Sequence, residues 1–118
     1  MKELLEKWFD ALHSGDSMRI SSLYADRASF LPTMSGDHKV GVNGAEEYFQ
    51  GFLRRRPQGR ILHLEIPFQS EDAVLHSGLY EFQIIGSHQP VRARFSFFWS
   101  KMRDGEWRIT HHHSSVSP

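Results

Sequence analysis

The stretch after Gly59 constrains the fold most, because from Arg60 to Val116 it reads as four strands separated only by short turns. The strands are Arg60 to Ile66, Ala73 to Ile85, Val91 to Met102 and Trp107 to Val116, with breaks at Ser70-Glu71-Asp72, Gly86-Ser87-His88 and Arg103-Asp104-Gly105. The last two breaks are short enough for hairpins, so their strands are antiparallel neighbours. The stretch before Gly59 follows a helical period instead. Leu4, Leu5, Trp8, Phe9 and Leu12 form one stripe of a helix that ends near Gly15. Asp16 or Ser17 can cap a second, short helix carrying Met18, Ile20 or Ser21, and Leu23. Tyr24-Ala25-Asp26 then leads into an extended run from Ala28 to Leu31 before Pro32. Ser35 to His38 reads as a turn, and Asn43 can cap a third helix through Ala45, Tyr48, Phe49, Phe52 and Leu53, ended before Pro57. Helices followed by a long antiparallel meander predict an α+β domain whose sheet curls over the helices and encloses a pocket.

At 118 residues the chain is expected to be a single domain, 1–118, with one core and no regulatory module. Its 39% hydrophobic residues suffice to bury a core. Fourteen basic and fourteen acidic side chains cancel, so the charge that nucleic acid or an anionic membrane requires is missing. Lys2, Glu3, Glu6 and Lys7 interrupt the apolar residues of the first turns, so we expect no signal peptide, no membrane span and a soluble, cytoplasmic chain. The absence of cysteine removes disulfides, thiol nucleophiles and thiolate metal sites. Chemistry is left to imidazoles, carboxylates and hydroxyls. The one charge run, Arg54-Arg55-Arg56, suits a solvated helix end, or a contact with an anion or with a second copy in a dimer.

The densest chemical signal is His111-His112-His113-Ser114-Ser115. Side chains of a strand alternate faces, and Trp107, Ile109, His111, His113 and Ser115 share one parity. The apolar members mark that parity as inward, which predicts His111, His113 and Ser115 on the pocket wall, about 6 to 7 Å apart along the strand. An imidazole beside water at neutral pH is a poised base, and His113 is the candidate. The bland alternative is a pair of satisfied core histidines. His-x-His can also supply two ligands to zinc, but the third would have to be His63, His76 or a carboxylate, and no spacing nominates one. Thr33 follows a strand at its mouth, where hydroxyls cap turns. Tyr48 sits among Phe49, Phe52 and Leu53, where a tyrosine fills a core face.

Taken together, Leu31-Pro32-Thr33-Met34-Ser35, Tyr48-Phe49, Pro57-Gln58-Gly59, Ala93 to Trp99, Asp104-Gly105-Glu106-Trp107 and the triple-His-Ser-Ser ending resemble the iota-class carbonic anhydrases. That class lies among domains similar to the association domain of calcium/calmodulin-dependent protein kinase II (CaMKII), within the nuclear transport factor 2-like (NTF2-like) superfamily. The resemblance runs from the first helix to the last residue. It implies a cone-shaped α+β fold, usually a homodimer, and the reversible hydration of carbon dioxide to bicarbonate. Members have been described as metal-free and as metal-dependent; we expect no cofactor here. In the metal-free form, hydroxyls of a Thr, a Tyr and a Ser hold bicarbonate, which maps onto Thr33, Tyr48 and Ser115, with His113 nearby. Ser114 takes the role of Ser115 if the strand parity is reversed, and His111, Phe49, Phe97 and Trp99 are expected to line the substrate. The sequence departs from the pattern at Phe95 and Trp99, where the class often has Tyr, at Ser96, where it often has Thr, and at its Val116-Ser117-Pro118 ending.

Two rival readings differ in class. One is an oligomeric module that binds a small ligand without turnover, which the same fold supports equally well. The other is an isomerase, dehydratase or cyclase acting on a larger substrate. Such sites commonly use an inward carboxylate, and the pattern sends Glu65, Glu81 and Glu106 outward.

Overall fold

The computed structural model describes residues 1–118. Helix α1, Glu3–Ser14, buries Leu4, Leu5, Trp8, Phe9, Ala11 and Leu12 and stops at Gly15, whose left-handed φ of 74° closes the end. Asp16 caps α2, Ser17–Ser21, by accepting from the N–H groups of Met18 and Arg19. Strand β1 runs Tyr24–Leu31 and β2 is the short Lys39–Val40. Helix α3 covers Gly41–Phe52, followed by a single 3-10 turn at Leu53–Arg55. Strands β3, Gln58–Gln69, β4, Ala73–Gln83, β5, Val91–Lys101, and β6, Trp107–Val116, complete the chain.

All six strands form one sheet in the order β2-β1-β6-β5-β4-β3. The pairs are antiparallel except β1 with β6, which is parallel and brings Ser29, Phe30 and Leu31 opposite His111, His112 and His113. The predicted antiparallel meander is therefore β3 to β6, and the first strand closes its far side. Apolar residues of α1, α3 and the sheet's inner face join in one core that includes Trp8, Phe49, Tyr80, Phe97 and Trp99. On the outer face Glu81 lies between Arg60 and Arg92, 2.7 and 3.3 Å from their Nε atoms.

Several boundaries differ from expectation, each for a backbone reason. Helix α3 is not capped by Asn43; it starts two residues earlier at Gly41, at φ +71°. A Cβ at Gly41 would stand 2.3 Å from the Asp26 carbonyl oxygen, so close packing of the helix start on β1 selects glycine there. Strand β1 begins at Tyr24 rather than Ala28, which turns Tyr24 from a connector into a buried strand residue.

The largest correction concerns β6. Opposite β5, Phe98 faces His111 while Trp99 faces Ile109, so one step on β5 matches two on β6 and Thr110 is the extra residue of a β-bulge. The Thr110 hydroxyl donates to the Phe98 carbonyl at 3.1 Å and meets Ser100 Oγ at 3.2 Å. Parity reverses across the bulge. Ile109 points inward, and beyond Thr110 the inward residues are His112 and Ser114. His111, His113 and Ser115, predicted inward, lie on the outer face: His113 is exposed, and Ser115 Oγ accepts from Arg94 at 3.3 Å.

Candidate functional site

The inner ends of β1, β4 and β6 bring five hydrogen-bonding side chains into a line through the core. Tyr24, from the first residue of β1, places its hydroxyl 2.8 Å from His112 Nδ1 and accepts from Trp8 Nε1 at 3.2 Å. Tyr80, on β4, has its hydroxyl 3.1 Å from His112 Nε2 and donates to Ser114 Oγ at 2.6 Å. Ser114 Oγ in turn bonds to Thr33 Oγ1, just beyond the end of β1. The Tyr48 hydroxyl, on α3, donates to the Thr33 carbonyl at 3.0 Å. No buried side-chain polar atom lacks a partner, which is what a polar line through an aromatic core requires.

Aromatic rings hold the line in place. The His112 imidazole stacks on Phe97 at 3.8 Å and on Phe30 at 4.8 Å, with both planes within 20° of its own. Trp8 stacks on Tyr80 at 5.9 Å and meets His112 edge-on at 5.6 Å. Beside this cluster is a small cavity of about 10 Å³ bounded by Thr33, Tyr48, Phe49, Phe52, Tyr80 and His112 among others, the room one water needs. Thr33, Tyr48 and Phe52 also face an open groove of about 400 Å³ on the other side, so they form the wall between cavity and solvent.

The cavity is uncharged. Burial pushes the Tyr24, Tyr48 and Tyr80 hydroxyls above the usual phenol range. Burial likewise drives the His112 imidazole well below its ordinary value, and the neighbouring His111 and His113 add to the effect. His112 is thus neutral at pH 7. No carboxylate borders the cavity; Glu65 and Glu106 are exposed, and Glu81 is held on the outer face. Nor do three His, Asp or Glu side chains converge anywhere to hold a metal ion. His76, one of the candidate third ligands, sits elsewhere in the core between the Trp99 indole N–H and the Met1 carbonyl.

Of the residues singled out from sequence, Thr33, Tyr48, Phe49 and Ser114 come together here, and Phe97 supports the His112 ring. His113, Ser115 and His111 do not reach the cavity, and Trp99 is buried behind Phe97, bonded to His76. His112, Tyr80 and Tyr24 were missed. Tyr80 could have been found, since it shares parity with Val74, His76 and Phe82 on β4. His112 was concealed by the bulge, and Tyr24 by its place at the end of a helix–strand connection.

Comparison with known proteins follows the whole chain. Residues 1–118 match the family described as calcium/calmodulin dependent protein kinase II association domain. A crystal structure from Xanthomonas campestris, provisionally named as such a domain, is similar with TM-score 0.92 and 33% identity, over 99% of this chain and 85% of that one. An NTF2-like protein of unknown function from Pseudomonas putida KT2440 aligns with TM-score 0.84 and 18% identity, over 98% and 83% of the two chains. An NTF2-like superfamily protein from Salmonella enterica serovar Typhimurium aligns with TM-score 0.82 and 19% identity, over 98% and 87%. These two share the cone-shaped fold. No curated protein matches the sequence.

Proposed function

This chain belongs to the calcium/calmodulin dependent protein kinase II association domain family, and from that premise we propose that its cone is a catalytic site for the reversible hydration of carbon dioxide, with Thr33, Tyr48, Tyr80, His112 and Ser114 as its working residues. The observation that carries the reading is a neutral imidazole–hydroxyl line ending at a water-sized aromatic cavity. Carbon dioxide is small and apolar, and its product is an anion, so the reaction needs a dry wall beside preorganised donors. Phe49 and Phe52 supply the wall. As water adds to the carbon it loses one proton to the water of the open groove, and the oxygens that gain charge can accept from the Thr33 hydroxyl, which Ser114 holds in place, and from Tyr48 once it leaves the Thr33 carbonyl. His112 acts on them only through Tyr80, its Nε2 being 3.1 Å from that hydroxyl. A cavity of this size admits substrate only when Tyr48 or Phe52 swings toward the groove. It also disfavours the larger substrates of cone-fold isomerases, whose inward carboxylate has no counterpart here.

Stopped-flow hydration with a pH indicator, with and without chelator, tests the reading. Activity that survives chelation and falls about 10²–10³-fold in Ser114→Ala is expected, as for the loss of one oxyanion donor, because the Thr33 hydroxyl then loses the bond that aims it. Activity at the buffer level, or unchanged in folded Ser114→Ala and His112→Ala, overturns it.

A second reading is an oligomeric ligand-binding module. It is favoured by the outer-face row Phe68, Leu75 and Phe98, paired across β3, β4 and β5, with Phe68 half exposed. Such a row suits pairing of two copies through their sheets. Sedimentation of Phe68→Lys against the unaltered protein tests whether that row joins a homodimer.

A further inference from the structure

The hydrogen positions of the polar line follow from one residue at its end. An indole N–H donates and never accepts. The Tyr24 hydroxyl has two polar neighbours, Trp8 Nε1 at 3.2 Å and His112 Nδ1 at 2.8 Å. Since Trp8 cannot accept, the Tyr24 proton has one place to go, His112 Nδ1. That nitrogen must then be bare, and a neutral imidazole with a bare Nδ1 carries its proton on Nε2. Nε2–H therefore donates to the Tyr80 oxygen, which leaves the Tyr80 proton for Ser114 Oγ. Ser114 in turn donates to Thr33 Oγ1, and the Thr33 proton is the one left over. Thr33 borders both the cavity and the groove.

We infer that Trp8, through Tyr24, sets a single direction of donation along Trp8, Tyr24, His112, Tyr80, Ser114 and Thr33, so that the site presents a hydrogen-bond donor to whatever enters the cavity. Trp8 and Tyr24 are positioning residues: the Trp8 ring borders the cavity, but its N–H and the Tyr24 hydroxyl act on the donor at Thr33 only through the line. The reversed line would send His112 Nδ1–H to the Tyr24 oxygen and leave the Tyr24 proton without an acceptor inside a ring of aromatic side chains. Losing a buried bond of that kind disfavours the reversed state by about tenfold or more. A donor end selects ligands by an oxygen that accepts, such as a carboxylate or bicarbonate oxygen. An ammonium or amide N–H would leave that proton unused and find only the remaining lone pairs of Thr33 and Tyr48. This assignment deepens the hydration reading by giving its site a polarity, but its test does not depend on turnover.

The test is the ¹⁵N signature of the His112 ring in the intact protein, read by long-range proton–nitrogen correlation. The expected result is a protonated Nε2 and a bare Nδ1, with the other tautomer below about a tenth of the population. Tyr80→Phe, which cuts the ring from Ser114 and Thr33, should keep that signature. Tyr24→Phe, which takes away the proton donated to Nδ1, should keep Nε2 protonated but move the Nδ1 signal to that of a bare nitrogen without a hydrogen bond. A protonated Nδ1 in the unaltered protein overturns the inference, and so does a Tyr24→Phe spectrum identical to it. Formate, which no hydration step consumes, should shift the Thr33 and Ser114 amide signals more strongly than ammonium at the same concentration. An equal or stronger response to ammonium, or a response to neither, overturns the donor end. If the tautomer and the formate response hold while hydration is absent, the polarity stands and the anhydrase reading alone falls.

Discussion

The two faces of β6 carry the same chemistry in sequence and opposite chemistry in space. On the inner face His112 is fully buried, stacked between two phenyl rings and bonded at both nitrogens by tyrosines. On the outer face His111 is half-buried and His113 is exposed. Ser114 closes a buried hydrogen-bond line, whereas Ser115 takes one bond from an exposed arginine. Residue type thus settles little in this segment. What a histidine or serine does here is decided by one inserted residue, Thr110, which determines the side of the sheet it occupies.

Deleting Thr110 should break the contrast with the largest effect. Without the extra residue, either Ile109 or the His112–Ser114 pair must leave the interior, and expelling a core Ile alone costs about 2–5 kcal/mol. Chemical denaturation should show that loss, and an unchanged midpoint would contradict the bulge. Next come paired substitutions across the sheet. Ser114→Ala should slow hydration by about 10²–10³-fold, roughly 2.7–4 kcal/mol, while Ser115→Ala leaves it unchanged; His112→Ala and His113→Ala should divide the same way. Equal losses within either pair would erase the distinction between faces.

Acid unfolding sharpens the comparison by a smaller amount. His112 and His76 both have imidazoles lowered from the ordinary 6.5, each chiefly by burial. The unfolded chain therefore binds more protons than the folded one once the pH drops below about 6.5. Stability should be level with respect to these groups above that pH and fall below it, by up to about 1.4 kcal/mol per pH unit for each histidine until the folded protein also takes up the proton. His112→Phe should flatten the slope between pH 6.5 and 5, and His113→Ala should not. The smallest effect is expected outside, where Arg94→Ala removes only the contact with Ser115 and should change stability by no more than about 0.5 kcal/mol.

Much of this arrangement is legible in the sequence. The stripe of α1, the cap at Asp16 and the hairpins after β4 follow from periodicity and turn chemistry that act within a few residues. Thr33, Tyr48 and Ser114 were within reach through the family resemblance, Ser114 only as the alternative to Ser115. What was not legible depends on relations between distant strands. Alternation assigns faces only while the register is unbroken, and the bulge at Thr110 is defined by its pairing with Phe98 and Trp99, more than ten positions earlier in the chain. The start of α3 at Gly41 is set by the approach of Asp26 rather than by a capping side chain.

The sandwich of His112 between Phe97 and Phe30 also separates two kinds of motion. Turning the imidazole about its Cβ–Cγ bond would sweep its edge through both phenyl faces, 3.8 and 4.8 Å away centre to centre, so the ring keeps its orientation unless the core opens around it. Hydroxyl hydrogens at Tyr24, Tyr80, Ser114 and Thr33 swing freely about their C–O bonds by comparison. Any rearrangement along this line is therefore one of protons on a fixed heavy-atom frame, fast and reversible, while the interior behaves as a rigid solid.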